Sequence, residues 1–293
     1  MKNTVHLHIP ALFSVAEHNT KLDAINILLS RATVMGRVPS FFSGLTEPVP
    51  AGALGALAYG LNPGDALWCR ADPIECRVDH QRAHMLGNAH FEISPREQAQ
   101  IMRALNDLLI PDQHLLVPGN SHEWFCKLGQ KTNITFPGLH ESFFPTGPDQ
   151  NYWKRLITEC QMVLQQQAHA HISSLWFWGI GKLPQNIRTA FTHIYSDDSV
   201  TRGLGMCANV PTARLPAIFI PENGHTLVSV HQYKPDYYEQ HWFKPLLQAL
   251  KQGRLDALTI STDNREYFIT KKHLYYFWRR IRNHYVNRTP SEN

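Results

Sequence analysis

From residue 173 onward, short apolar runs alternate with helix-patterned stretches, and that alternation restricts the chain to few architectures. The runs cover residues 173–178, 192–195, 217–220, 226–231 and 257–262, with helical spacing over 199–207 and 236–251. Strands that return after helices build a layered α/β core. The run at 173–178 is apolar on both faces after its two serines, as suits a strand covered by helices on each side. Trp176 and Trp178 fall on one side of it at period two and are expected in the core. Gly179 and Gly181 should end that strand, Pro245 should kink the last long helix, and Gly253 should terminate it.

The N-terminal part mixes both element types. Leu22, Ile25, Leu28 and Leu29 share one helical face, and 36–50 reads as loop. Residues 67–79 read as two short strands broken by a turn at Ala71, Asp72 and Pro73. Ser94 and Glu97 form a capping box with Pro95 at the first helical position, ahead of the stripe Ile101, Leu105, Leu108 and Leu109. A hairpin is expected from 114–117 and 123–128, and Asp149 should cap a helix carrying Trp153, Leu156, Cys160, Val163 and Leu164. The Pro- and Gly-rich stretch 136–149 is the linker candidate. The expected organisation is a smaller mixed α+β lobe over 1–140, an α/β core over 141–270 and a basic helix and tail over 271–293, or one continuous domain.

With 43% apolar and 18% charged residues, the chain can bury a core, which excludes collagen, coiled coil and disordered tail. No run of about 18 apolar residues occurs, so no membrane span is expected. The first residues lack the order of a secretory signal, and a cytoplasmic location is expected. Five scattered cysteines form no C-x-x-C pair, which points to reduced buried thiols. The overall charge of +4 is concentrated in the tail: residues 271–293 hold six Lys or Arg against Glu292 alone.

That tail places Leu274, Phe277, Trp278, Ile281 and Tyr285 on one helical face, with Lys271, Lys272, Arg279, Arg280 and Arg282 elsewhere. A helix docked through its apolar stripe is expected. The basic patch also suggests low-affinity, salt-sensitive contact with nucleic acid or another acidic partner.

Other chemistry is thin. Gly179-Ile180-Gly181 after a strand resembles the start of an anion-cradling loop, but Pro184 stands where a third glycine would be. Of the seventeen histidines, His80 and His84 lie one helical turn apart beside Asp79, without the glutamate of H-E-x-x-H. His6 and His8, or His169 and His171, could face one way on a strand. No G-x-S-x-G supports a serine hydrolase.

Several segments together carry a resemblance. "LWCRADPIECRVDHQRAHML", "FPTGPDQNYWKRLITECQMVL", "SSLWFWGIGKLP", "YSDDSVTRGLG" and "FWRR" resemble the bacterial regulatory-protein RpfE type, a group described as phosphoglycerate-mutase-like, over roughly residues 60 to 280. Within it, "SSLWFWGIGKLP" and "YSDDSVTRGLGMCANV" resemble part of the archaeal-type cofactor-independent phosphoglycerate mutases of the alkaline phosphatase superfamily. Their pattern N-x-x-W-x-W-G-x-G has Ser173 or Ser174 here in place of its Asn, and the Lys of their K-G-I-G is Arg202 here.

The resemblance implies a layered α/β core of the alkaline phosphatase superfamily type. That superfamily uses two metals, clustered Asp and His ligands and a Ser or Thr nucleophile. "VHLHIPALF" offers no acid after the N-terminal strand, and Asp263 is followed by Asn264 where an Asp-His pair would fall. The implied function is therefore a non-catalytic regulatory protein without metal or cofactor, binding a protein partner or a small anionic ligand. Trp178, Gly179, Gly181, Lys182 and Arg202 are the candidate ligand residues. The alternative is a Mn- or Zn-dependent phosphomutase or phosphohydrolase with a rearranged site drawing on Asp197, Asp198, His80, His84 and Asp263. Asp197 and Asp198 precede the helix at 199–207 and equally suit its positive end.

Overall fold

The computed structural model describes residues 2–13, 22–36, 40–45, 47–79, 82–87, 92–136, 144–166, 172–220, 222–276, 278–282 and 284, with the side chains of 76–79 and 82–87 outside the description. In chain order the elements are β1 (Thr4–His8), α1 (Asp23–Arg31), β2 (Thr33–Met35), α2 (Ala51–Ala58), β3 (Leu67–Asp79), β4 (Arg82–Gly87) and α3 (Pro95–Leu109). They continue with β5 (Leu115–Pro118), β6 (Trp124–Leu128), α4 (Gln150–Gln166), β7 (Ser174–Gly181), β8 (His193–Ser196), α5 (Ser199–Cys207) and β9 (Thr212–Ala213). The last are β10 (His225–Ser229), α6 (Pro235–Tyr238), α7 (Lys244–Gln252), β11 (Ala257–Ser261), β12 (Glu266–Thr270) and α8 (Lys271–Leu274).

Two compact units result, one of Met1–Ser43 with Ile187–Asn293 and the other of Gly44–Asn186. The division differs from a break near residue 140, and strand pairing is the reason. β1 pairs in parallel with both β10 and β11, which ties the first residues to the last third of the chain. β3 pairs with β7, so the stretch 136–149 lies inside one unit rather than between two.

The first unit holds the expected α/β core. Its seven strands run in the order β2-β12-β11-β1-β10-β8-β9, with β11, β1, β10, β8 and β9 parallel. Leu7, Ile9, Ile25, Leu28, Trp242, Leu246 and Leu250 fill the core between this sheet and its helices. Burying each such side chain contributes about 1.5 to 3 kcal/mol. α1 has no side-chain cap of its own. The buried Glu239 supplies one from afar, its carboxylate accepting the Ala24 and Ile25 amides at 2.7 and 3.2 Å. Glu239 opens a π-helical stretch, Glu239–Phe243, between α6 and α7. The wider turn falls just ahead of Pro245, which has no amide to donate. Gly253 ends α7 in the left-handed region, as expected. Residues 217–220 are irregular rather than a strand. There the Phe219 amide donates to His241 and the Tyr237 hydroxyl to Ala217, so helix-side partners take the place of a ladder.

The second unit is an antiparallel sheet in the order β4-β3-β6-β5, with β7 also on β3. The Ser94–Glu97 capping box starts α3 with Pro95 inside it, and β5 and β6 form the expected hairpin. α3 and α4 bury Ile101, Leu105, Trp153, Leu156 and Cys160 with Cys69, Trp124 and Leu175 of the sheet. β3 is one strand of 13 residues, not two with a turn. Register shifts beside Trp68 and Glu75 absorb the irregularity, and Pro73 stays within the β7 ladder opposite Leu175. The Asp149 carboxylate accepts the Asn133 amide.

The C-terminal segment departs furthest from expectation. α8 is only four residues long, and Trp278 and Ile281 are 64% and 55% exposed rather than docked. Leu274 alone of the described stripe packs against the first unit's core, and polar anchoring holds the segment beyond it. The Arg279 guanidinium donates to the carbonyls of Arg31 and Ala32 at 3.0 and 2.6 Å, satisfying the C-terminal end of α1. The Arg282 amide donates to Ser30 Oγ and the His284 amide to Asn26 Oδ1. Phe277 and Tyr285 lie outside the described residues.

Candidate functional site at the sheet's carboxyl edge

In open α/β sheets, ligands bind outside the carboxyl ends of the strands, because loops and helix starts converge there. In the first unit those ends carry polar residues in one register. His8 sits opposite Ser229 of β10 on one side and Ser261 of β11 on the other, and Ser229 sits opposite Ser196 of β8. Four adjacent parallel strands thus present Ser261, His8, Ser229 and Ser196 as a row. The three serines are buried.

Alternation along β1 brings His6 to the same side as His8. Both imidazoles meet one hydroxyl: Ser261 Oγ is 2.8 Å from His6 Nε2 and 3.0 Å from His8 Nδ1. A single hydroxyl can donate to one ring and accept from the other. Phe41 closes edge-on over both rings, at centroid distances of 4.8 and 5.0 Å, and Phe191 adds a further edge contact to His6. Burial, with His8 as a lesser contributor, pushes His6 down to about 4. Burial also lowers His8, reinforced by His231 and opposed by Asp263. Both rings are therefore uncharged at neutral pH.

Glu266 Oε1 is 3.5 Å from His6 Nε2, a distance short enough for attraction but outside hydrogen-bonding geometry. Burial raises the Glu266 carboxyl. With the imidazole neutral and the acid raised, this contact is not an ion pair at neutral pH. Nor do Ser261, His6 and Glu266 form a hydrolytic triad, since the carboxylate and the serine approach the same ring nitrogen and the serine is fully buried.

Two of the acids nearby, Asp197 and Asp198, are committed elsewhere. Asp197 accepts the amides of His231 and Gln232, each at 2.8 Å. Asp198 caps α5, accepting the amide and hydroxyl of Thr201 at 2.7 Å. His231 Nε2 meets Ser229 Oγ at 3.2 Å, and Asp263 is exposed. Among the described residues, no group of three His, Cys, Asp or Glu is placed to hold a metal ion. The described side chains at this edge do not fit a two-metal centre.

The residues singled out by sequence fall in both units. Arg202 belongs to the first, buried, donating to the Ser196 carbonyl at 2.9 Å and so bracing the strand end beside the polar row. Trp178, Gly179, Gly181 and Lys182 belong to the second. Gly179 lies within β7 and Gly181 is its last residue, and their missing side chains make room for α2 and the proline before it. A Cβ on Gly179 would lie 2.6 Å from the Ala51 Cβ, and one on Gly181 2.6 Å from the Pro50 Cβ. Close strand-to-helix packing accounts for both glycines. Trp176 and Trp178 stack at 5.2 Å, and the Trp178 indole donates to Asp72. Lys182 is exposed. His84 lies on β4, with its side chain outside the description, and His80 lies outside the described residues. Lys271, Lys272, Arg280 and Arg282 are exposed, whereas Arg279 is engaged with α1. Sequence reasoning named His6 and His8 as able to face one way but missed Ser261, because the contact depends on β11 lying beside β1.

No helix of the described residues is long and apolar enough to cross a membrane. No family model matches the chain, and no curated protein matches its sequence. Solved structures do resemble it. The PH0037 protein from Pyrococcus horikoshii matches with a TM-score of 0.51 at 9% identity, covering 92% of this chain and 87% of that one, which shows a shared α/β fold. A cofactor-independent phosphoglycerate mutase from Thermoplasma acidophilum matches with a TM-score of 0.44 at 14% identity over 92% and 90%.

Proposed function

We propose that this chain is a non-catalytic regulatory protein of the RpfE type on a phosphoglycerate-mutase-like scaffold, acting in the cytoplasm by binding a small anionic ligand at the carboxyl edge of the first unit's sheet. The observation that supports it is the joint bonding of His6 and His8, on the central strand, to the buried Ser261 at the end of the neighbouring β11. Phosphoryl transfer between two metals needs carboxylates at such a strand end, to neutralise the cations and to place the nucleophile. Here two uncharged imidazoles and a shared hydroxyl occupy the position, and Asp197 and Asp198 are spent on backbone amides. Hydroxyls and ring N–H groups suit the oxygen acceptors of a phosphate or carboxylate. A regulatory protein partner would then read the liganded state.

A second reading, a metal-dependent mutase or phosphohydrolase with a rearranged site, draws on the electrostatic proximity of His8 to His231 and Asp263. One set of measurements separates the two. Under the binding reading, elemental analysis of the purified protein finds no stoichiometric metal, and mutase and phosphatase turnover with added manganese stays at background. Calorimetry with 3-phosphoglycerate and inorganic phosphate then shows saturable binding that His8→Ala weakens. Stoichiometric manganese or zinc accompanied by turnover would make the protein an enzyme instead.

A further inference from the structure

The segment that follows β12 gathers charge and aromatic surface on one short stretch. Lys271, Lys272, Arg280 and Arg282 are exposed, and no acid lies between residues 271 and 282. Tyr275 is 67% exposed and Trp278 64%. The Trp278 ring lies against Tyr276 at 4.8 Å with an interplanar angle of 28°, and Arg279 covers Tyr276 at 5.1 Å. Tyr275 and Trp278 thus place aromatic surface at the solvent boundary beside the cations, where a planar group can stack on it.

The segment is also held in place. Arg279 fastens it to the carbonyls of Arg31 and Ala32, and the Arg282 amide to Ser30, so the rings are presented on a braced strap rather than on a loose end. Pre-ordering of this kind lowers the entropy lost on binding.

We propose that this strap is a binding surface for single-stranded nucleic acid, with unpaired bases stacking on Trp278 and Tyr275 and the backbone phosphates running along Lys271, Lys272, Arg280 and Arg282. Base stacking on aromatic rings tolerates any sequence and needs bases freed from pairing, while flanking cations follow the phosphates. A membrane surface would also attract the charge. It requires, however, an amphipathic helix with a continuous apolar face. Among the described residues of this segment, only the four of α8 are helical. Duplex DNA offers phosphates but keeps its base faces covered.

The test uses the full-length protein and fluorescence anisotropy with labelled oligothymidylate and oligouridylate of about twelve nucleotides, a length within the usual site size. Binding is expected to weaken with salt, the logarithmic slope reaching about −0.7 for each of the phosphates that the exposed cations neutralise. Trp278→Ala should lose about tenfold in affinity and Trp278→Phe should keep most of it, since stacking is worth about 1 to 3 kcal/mol per base. Tyr275→Ala repeats the measurement on a second exposed ring, and thermal unfolding confirms that each variant is folded. Lys271→Glu with Lys272→Glu should flatten the salt slope. Any of three results overturns the proposal: no oligonucleotide binding at low salt, equal affinity for a duplex with no effect of either ring substitution, or retention on anionic vesicles alone.

Discussion

Nε2 of His6 and Oγ of Ser261 stand 2.8 Å apart, joining the central strand of the first unit to its neighbour through a partly buried side-chain contact. The serine hydroxyl is the meeting point of two imidazoles, so removing it strips a partner from both. Ser261→Ala should therefore lower stability by about 1 to 3 kcal/mol, the penalty for leaving buried polar nitrogens unsatisfied. Urea unfolding of the variant measures this; an unchanged midpoint would show that the hydroxyl holds nothing together.

The same cluster makes stability depend on pH. Burial, then His8, sets His6 at about 4 in the folded protein against 6.5 when exposed. Between those values the unfolded chain binds a proton that the folded chain refuses. Stability contributed by neutral His6 is thus fully present above the exposed value and is lost as pH falls toward about 4. His8, lowered chiefly by burial, acts in the same direction. Glu266, raised by burial, acts oppositely, favouring the folded state as pH falls. The His6 effect amounts to about 3 kcal/mol over that range. His6→Gln should flatten the stability profile between about pH 4 and 6.5 in urea titrations, and a parallel curve would refute the assignment.

Features governed by neighbouring residues were readable from sequence. The Ser94–Glu97 capping box, the hairpin of β5 and β6, the α5 helix with Asp198 at its start, and the Gly253 stop all formed where the spacing placed them. Features governed by distant pairing were not. Pro73 suggested a turn, yet β7 from 100 residues later holds β3 extended through it. The tail carries a helical stripe, but α8 stops at Leu274, and the Arg279 side chain reaches back to the carbonyls at the end of α1. Ser261 had no local mark at all, because its meaning comes from the parallel register that sets it beside His8.

Gly179 gives a sharp test of close packing. Its φ of +60° lies in the left-handed region, and an added Cβ would fall 2.6 Å from the Ala51 side chain. Backbone strain and overlap act together, so Gly179→Ala should destabilise the protein by about 2 to 4 kcal/mol. Gly36 has open space where its Cβ would go, and Gly36→Ala should leave stability within about 0.5 kcal/mol of the parent. Thermal unfolding of the two variants should separate them clearly; equal midpoints would remove the packing explanation for the Gly179–Gly181 segment.

Arg70 is buried in the second unit between two acids and two rings. Its Nε and Nη2 lie 3.0 and 2.9 Å from one oxygen of Asp72, and its Nη1 lies 2.7 Å from Glu123. The guanidinium also faces the rings of Phe125 and Trp178 at 5.2 and 5.3 Å. Burial alone would disfavour the charge, but Asp72 and Glu123 more than compensate and raise the Arg70 pKa. Asp72 in turn accepts the Trp124 amide and the Trp178 indole, linking β3, β6 and β7 through one side chain. Removing the cation leaves buried acids uncompensated, so Arg70→Met should cost about 3 to 5 kcal/mol. Arg70→Lys retains the charge but cannot reach both acids with a planar fork, and should fall between the parent and Arg70→Met. Adding Asp72→Asn and Glu123→Gln to Arg70→Met removes the stranded charges and should recover part of the loss. If the triple variant is less stable than Arg70→Met alone, the hydrogen bonds of the acids outweigh their charge, and the ion pair is not what holds this network together.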